Sequence, residues 1–170
     1  MNRLITLITL FFLILASSCV NEDEPAAEAL QPGDKCPEFS VKMNDGSIVA
    51  SSDLIGERSI IVFFNTSCND CRRELPQLQV VYDHIMTENL PIRLICISRA
   101  EKAESIETFW KENNLTLPYS AQQDKTVYNL FASSVIPRIF ILSPDLTITR
   151  SWDDNPIPSA QDILEGLNCL

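Results

Sequence analysis

The sequence is poor in histidine and in basic residues, and each shortage excludes a class of function. One histidine, His84, among 170 residues excludes a metal site built from several histidines. It also excludes most Ser-His-Asp chemistry, unless His84 is itself the base. The chain has 13 Lys and Arg against 23 Asp and Glu, a net charge of −10. Phosphate binding needs clustered cations, so nucleic acid is not expected as a partner. Six cysteines remain as candidates for chemistry.

No apolar run is long enough to cross a membrane. The longest, residues 4–16, is shorter than the roughly 20 residues that span a bilayer. It follows Arg3 and leads into the small residues 16–18, directly before Cys19, which resembles a bacterial lipobox. By this resemblance residues 1–18 are a lipoprotein signal peptide, and Cys19 carries the lipid that anchors the chain to a membrane. The alternatives are a plain signal peptide and a single-pass anchor, with Cys19 incidental.

The residues after Cys19 predict a location in the cell envelope. Val20 stands where an Asp retains lipoproteins in the inner membrane, which favours the outer membrane. The acidic run 22–24 resembles signals that send some lipoproteins to the cell surface. Residues 19–31 lack apolar periodicity and are predicted to be an acidic tether. We expect a periplasm-facing or surface-exposed outer-membrane lipoprotein, in a compartment where disulfides persist.

Residues 32–170 are predicted to form one α/β domain. An Asp-Gly turn at 44–46 joins two short alternating runs into an N-terminal hairpin over 39–50. Apolar runs predict four further strands, at residues 59–65, 92–98, 138–142 and 146–152. Apolar spacing predicts four helices, at residues 69–88, 101–113, 124–132 and 159–167. The order implies parallel pairing first and an antiparallel last pair, giving a mixed central sheet with helices on both faces.

Cys68-Asn69-Asp70-Cys71 lies where the first buried strand ends and a helix begins. Zinc would need four ligands, usually from two such pairs or from added histidines, and the sequence has neither. A structural disulfide here would close a short loop and stabilise little. A redox pair fits better, because a helix N-terminus favours a thiolate at the first Cys. The second Cys, one turn into the helix, can then resolve a mixed disulfide.

Four segments in a fixed order carry a family resemblance. They are 32–39 with Pro-Gly-Asp and Pro-Glu-Phe, the junction of 60–64 with 68–71, the helix start 71–78, and Val135-Ile136-Pro137 before an apolar strand. Together they resemble the thioredoxin superfamily, in the TlpA/ResA-like branch of thiol–disulfide oxidoreductases. The resemblance covers about residues 32–168. It implies a thioredoxin-like α/β sandwich, a central mixed sheet flanked by helices, with a helical insertion over 100–132.

The resemblance implies a role for each residue of the site. Cys68 would attack, Cys71 would resolve, and Pro137 would be a cis proline that presents the Ile136 backbone to an extended substrate segment. Glu74 matches a Glu that lies near the active site and influences thiol titration. The alternative for Glu74 is an exposed charge on the helix surface.

The remaining predicted substrate contacts are Ser67, Asn69, Asp70 and Arg138. Ser67 replaces the Trp that most relatives carry before the first Cys. Arg138 replaces the common Thr after the cis proline, where its charge could steer acidic partners or stabilise a Cys68 thiolate. Val62 stands where some thioredoxins have a buried acid. Asp70 favours the helix N-terminus but repels a Cys68 thiolate, from which we hypothesise a low reduction potential.

The implied function is that of an enzyme, a protein-disulfide reductase or oxidoreductase. Its partners would be protein thiol and disulfide substrates and a membrane thiol-relay donor. No cofactor is expected beyond a redox-active Cys68–Cys71 disulfide, and no metal. A peroxiredoxin-like peroxidase and a non-catalytic thioredoxin-fold binding lipoprotein are the alternatives. Cys96 is expected in the core, and Cys36 and Cys169 stay unassigned.

Overall fold

The computed structural model describes residues 29–168. The predicted signal peptide 1–18, the lipidation site Cys19, most of the tether and Cys169 therefore lie outside the described residues. Among residues 29–168 no helix is both long enough and apolar enough to span a bilayer. Ala29 is buried and pairs with Ala132 in an isolated β-bridge. The folded part thus begins earlier than the predicted boundary at residue 32.

The described part contains a five-stranded mixed sheet, a two-stranded sheet and three α-helices. The strands are β1 (Ser40–Lys42), β2 (Ile48–Ala50), β3 (Arg58–Phe64), β4 (Ile92–Ser98), β5 (Tyr119–Ser120), β6 (Arg138–Leu142) and β7 (Ile148–Trp152). The helices are α1 (Asn69–Thr87), α2 (Ala103–Glu112) and α3 (Ala160–Gly166). β1 and β2 form the expected hairpin. The large sheet has the order β5-β4-β3-β6-β7, with β3 parallel to β4 and antiparallel to β6.

β3 is central because its residues are apolar on both faces. Ile60, Val62 and Phe64 pack on the side of the helices, and Ile61 and Phe63 pack on the opposite side. This is the period of two that a strand imposes on its side chains. The prediction of a strand buried on both faces is confirmed, and the end of β3, where the Cys68 loop begins, is packed on both sides.

The three helices cover one face of the sheet, which corrects the expectation of helices on both faces. Leu75 of α1, Ile106 of α2 and Ile163 of α3 belong to a single apolar cluster. On the other face, Val41 of the hairpin and Phe131 pack against the sheet. The hairpin and the segment around Phe131 therefore take the place of a second helical layer.

The predicted helix at 124–132 is wrong, since the structure has only a 3-10 turn at Tyr128–Leu130. In a helix the Asp124 carbonyl would accept the amide four residues on, but here it accepts the Ala100 N–H at 2.9 Å. The Asp124 carboxylate accepts the Thr126 N–H at 2.8 Å, a local turn that competes with a helix. Val127, Tyr128 and Phe131 are nevertheless buried, as the apolar spacing predicts, whereas Leu130, which the same spacing assigns to the core, is exposed.

Candidate active site

Cys68 is the N-cap residue of α1, directly after the loop that follows β3. Its backbone is extended, with φ −81° and ψ 123°, and its Sγ accepts the Cys71 N–H at 3.5 Å. Free amides and the helix dipole both favour negative charge at this end of a helix. The side chain is half-buried and carries a free thiol. Cys68 is therefore accessible from solvent and placed to act as a thiolate.

Cys71 differs from Cys68 in its surroundings. It lies in the first turn of α1 with no exposed surface. Burial raises the pKa of the Cys71 thiol; a backbone hydrogen bond with Asn65 opposes this in part, and the interactions with Cys68 and with the Glu74 charge add to the rise. The pair thus joins a reachable first thiol to a protected second thiol, as attack and resolution require.

The loop before β6 brings Ile136 and Pro137 to Cys68. The Ile136–Pro137 bond is cis, as the resemblance implied. The Cys68 thiol donates to the Ile136 carbonyl, with 3.6 Å between sulfur and oxygen. Proline has no N–H to offer the sulfur, so the backbone on this side presents an acceptor only. A second cis bond, Asn155–Pro156, was not expected from the sequence.

Glu74 is buried in α1, three residues after Cys71, with 1% of its surface exposed. The alternative of an exposed helix charge is therefore excluded. Its Oε1 has no hydrogen-bond partner among the described residues, and burial raises its pKa to about 8. Its charge contributes to raising the pKa of both Cys71 and Cys96, after burial as the main cause. Cys96 is the cross-strand partner of Val62, the position at which some thioredoxins have a buried acid. In this chain Glu74 of α1 is the buried acid near that position.

Two polar contacts hold the loop between β3 and Cys68. Asn65 Oδ1 accepts the Ser67 N–H at 2.9 Å and the Ser67 hydroxyl at 2.6 Å. The buried Glu101 carboxylate accepts the Thr66 N–H at 2.9 Å and also the Thr66 hydroxyl. Sequence reasoning missed the contact between Thr66 and Glu101. A signal existed, because both follow the carboxyl ends of adjacent parallel strands, which meet at one edge of a sheet.

Asn69 and Asp70 form the outer part of the first turn. Asn69 is exposed, and Asp70 is half-buried. Asp70 Oδ1 accepts a hydrogen bond from Arg73 Nη1 at 2.9 Å. This surface ion pair offsets part of the repulsion that Asp70 exerts on a thiolate at Cys68, although such pairs are weak in water.

The structure does not bring Arg138 to Cys68, which corrects its predicted role. The side chain is buried, with Nη1 3.6 Å from Asp153 Oδ2, and it lines a separate pocket beside Trp152. Arg138 is the cross-strand partner of Phe63. Cross-strand partners share a face, and Phe63 faces away from α1. The cations that line the groove at Cys68 are instead Arg99 and Lys125, which sequence reasoning missed.

The remaining described cysteines lie outside this site. Cys96 is fully buried in β4, as expected, and burial raises its pKa. Cys36 is half-buried near the start of the domain, where burial raises its pKa to about 12. A pairing of Cys36 with Cys169 stays untested, since Cys169 lies outside the described residues.

Known proteins resemble this chain in sequence and in structure. The sequence model of the AhpC/TSA family matches residues 32–151. Thiol-disulfide oxidoreductase ResA of Bacillus subtilis is 23% identical over 123 residues, which cover 72% of this chain and 68% of the relative. Sporulation thiol-disulfide oxidoreductase A of the same organism is 25% identical over 138 residues, covering 81% and 82%. The thioredoxin domain of a thiol-disulfide oxidoreductase from Bacteroides vulgatus superposes with a TM-score of 0.70 at 18% identity, covering 82% of this chain and 97% of that one. The expected thioredoxin-like fold is confirmed.

Proposed function

The chain belongs to the AhpC/TSA family, and on that premise we propose that it is a thiol–disulfide oxidoreductase that reduces protein disulfides through Cys68 and Cys71. One observation carries the proposal: a half-buried thiol at the N-cap of α1 accepts the N–H of a fully buried second cysteine at 3.5 Å. The names of the relatives support the same class of reaction. The expected setting is the cell envelope, with a membrane thiol-relay protein as the donor of electrons.

The proposed reaction consists of two exchanges of sulfur. The Cys68 thiolate attacks one sulfur of a substrate disulfide, an S–S bond forms between them, and the other substrate sulfur leaves as a thiolate. Cys71 then loses its proton and attacks Cys68 Sγ, which releases the first substrate sulfur as a thiolate and leaves a Cys68–Cys71 disulfide. Two electrons pass to the substrate. A dithiol protein has to reduce the Cys68–Cys71 disulfide before the next cycle.

We assign Glu74 as the group that accepts the proton of Cys71. Its pKa of about 8 lies close to physiological pH, where a carboxyl group can both accept and release a proton. It interacts electrostatically with Cys71, and its Oε1 is not engaged by another described side chain. An ionised Glu74 opposes a thiolate at Cys71, so transfer of the proton to Glu74 relieves that repulsion.

A Cys71→Ser variant tests the proposed order of attack and resolution. Because serine cannot resolve the mixed disulfide, Cys68 should remain covalently joined to its substrate. Incubation with oxidised insulin should give an adduct that is visible on a non-reducing gel and removed by dithiothreitol. Cys36→Ser is the matched control and should give no stable adduct. Equal adducts from Cys71→Ser and from the double variant Cys68→Ser/Cys71→Ser would contradict the assignment.

The reductase direction predicts a low reduction potential for the Cys68–Cys71 pair. Asp70 opposes the thiolate and so destabilises the reduced form, which places the expected potential nearer about −270 mV than the about −120 mV of a strong oxidant. Asp70→Asn should raise the potential by on the order of 10–30 mV. The control Asp83→Asn, on an exposed residue of α1, should not change it. Redox titration against glutathione measures the potential of the wild type and of each variant. A wild-type value near about −120 mV would contradict the reductase direction.

A further inference from the structure

A groove of about 310 Å³ opens beside Cys68. Cys68 and Ile136 line it, as do two cations, Arg99 and Lys125. The sulfur of Cys68 and the carbonyl oxygen of Ile136 lie 3.6 Å apart. A peptide segment whose disulfide reaches Cys68 along this groove therefore comes close to both cations.

Arg99 is held in place by contacts with distant parts of the chain. Its N–H donates to the Phe64 carbonyl at 2.8 Å, and its carbonyl accepts from Asn65 Nδ2 at 3.1 Å. The guanidinium lies over the ring of Tyr128, 4.8 Å from its centroid, and Nη1 donates to the Ser134 carbonyl. These contacts order the side chain while leaving other guanidinium donors for a ligand, since an Arg carries five.

The backbone after Arg99 explains why Lys125 reaches the same groove. Ala100 has φ 55°, a left-handed conformation that is unfavourable for a residue with a Cβ. Its N–H bonds the Asp124 carbonyl at 2.9 Å, and the Glu101 N–H bonds the Gln122 carbonyl at 2.8 Å. These two bonds hold residues 122–124 against the backbone that follows β4, and Lys125 is the next residue along the chain. Strain of this kind often accompanies a functional site.

Neither cation is paired with a carboxylate in the part of the chain that the structure describes. Within residues 29–168 no ion pair involves Arg99 or Lys125. The carboxylates next in sequence are engaged elsewhere: Glu101 accepts from Thr66, and Asp124 accepts from its own turn. In a chain with a net charge of −10, two cations beside the nucleophile with no carboxylate partner among residues 29–168 are a local exception.

We infer that this groove selects protein disulfides in which an acidic residue stands beside the attacked cysteine. The inference rests on the proposed reductase function and adds the class of substrate to it. Arg99 and Lys125 would bind the carboxylate through charge-assisted hydrogen bonds as the substrate sulfur approaches Cys68. Complementary charge chiefly raises the rate of association. Acidic segments would otherwise be disfavoured by the negative charge of this protein.

Three symmetric peptide dimers test the inference. Each consists of two identical peptides joined by one disulfide, with Glu, Gln or Lys on both sides of the cysteine, so that attack on either sulfur is equivalent. The reduced protein is mixed in excess with each dimer, and the released peptide thiol is measured over time. At low salt we expect the Glu dimer to be reduced about tenfold faster than the Lys dimer, with the Gln dimer between them. The ratio should shrink toward one at 0.5 M salt, where charges are screened.

Variants assign the selectivity to these residues. The double variant Arg99→Gln/Lys125→Gln should lower the ratio of Glu to Lys rates below about twofold. Lys125→Gln alone, at an exposed position, should lower the ratio of Glu to Lys rates by a smaller amount. This single variant tests the assignment if the double variant does not fold. Lys111→Gln, on an exposed residue outside the groove, should keep the wild-type ratio.

The outcomes separate the inference from the function on which it rests. Equal rates with all three dimers would overturn the selectivity and leave the reductase function standing. Failure to reduce any dimer would overturn the reductase function and the inference with it. A full wild-type ratio in a folded double variant would overturn the assignment to Arg99 and Lys125.

Discussion

A Cys68→Ser variant is expected to lose reduction of insulin disulfides by at least about a hundredfold, to the background rate of dithiothreitol alone. Cys68 is the member of the pair that a substrate can reach, because Cys71 has no exposed surface. Burial also raises the pKa of Cys71, so it cannot replace Cys68 as the attacking thiolate. A serine hydroxyl at the N-cap keeps the helix start but remains protonated, and it is a poor nucleophile. Turbidity of precipitating insulin measures the rate.

Cys36→Ser is the control for this measurement, since Cys36 lies outside the groove and outside the pair. Its rate should equal that of the wild type. Unchanged insulin reduction in Cys68→Ser would defeat the redox mechanism and favour the non-catalytic thioredoxin-fold alternative. A peroxide assay examines the other alternative: rapid, Cys68-dependent peroxide consumption by Cys71→Ser would favour a peroxidase.

The free energy of unfolding of the wild type is expected to fall between pH 5 and pH 8, and the Glu74→Gln variant is expected to lack most of this fall. The folded protein raises the pKa of Glu74 from 4.5 to about 8, by burial. Over this window the folded state keeps a proton that the unfolded state has released, so the free energy of unfolding falls as pH rises. The contribution is fully present below pH 4.5 and is lost by about pH 8. At about 1.4 kcal/mol for each pKa unit, the fall amounts to at most about 5 kcal/mol.

Urea denaturation of the reduced protein at several pH values measures this effect. The wild-type free energy of unfolding should decline from pH 5 to pH 8, and that of Glu74→Gln should stay nearly flat. Glu107→Gln, on an exposed face of α2, is the matched control and should keep the wild-type decline. The measurements stop near pH 8 because burial also raises the pKa of Cys71 and of Cys96. At higher pH these two thiols would lower the free energy of unfolding further, in the wild type and in the variant alike. Parallel declines in the wild type and Glu74→Gln would show that Glu74 is not the group responsible.

The sequence by itself determined the features that depend on neighbouring residues. The apolar run of β3 predicts a strand buried on both faces, since a strand places its side chains alternately. The position of Cys68 and Cys71 at a strand–helix junction predicts one thiol at the helix start and one inside the first turn. The order of the family segments implied a cis proline at Pro137. The first two expectations rest on a few consecutive residues and the third on the family resemblance, and the structure agrees with each.

Only the tertiary structure decided how distant segments meet at the site. Glu74 follows Cys71 by three residues and so shares its helix face, yet its burial depends on the sheet beneath it. Arg138 follows Pro137 directly, but its pairing with Phe63 turns it to the opposite face of the sheet. Arg99 and Lys125 are far apart in sequence and meet at Cys68 because the Ala100 N–H bonds the Asp124 carbonyl. That bond also takes the acceptor that a helix at 124–132 would need, which no local pattern could indicate.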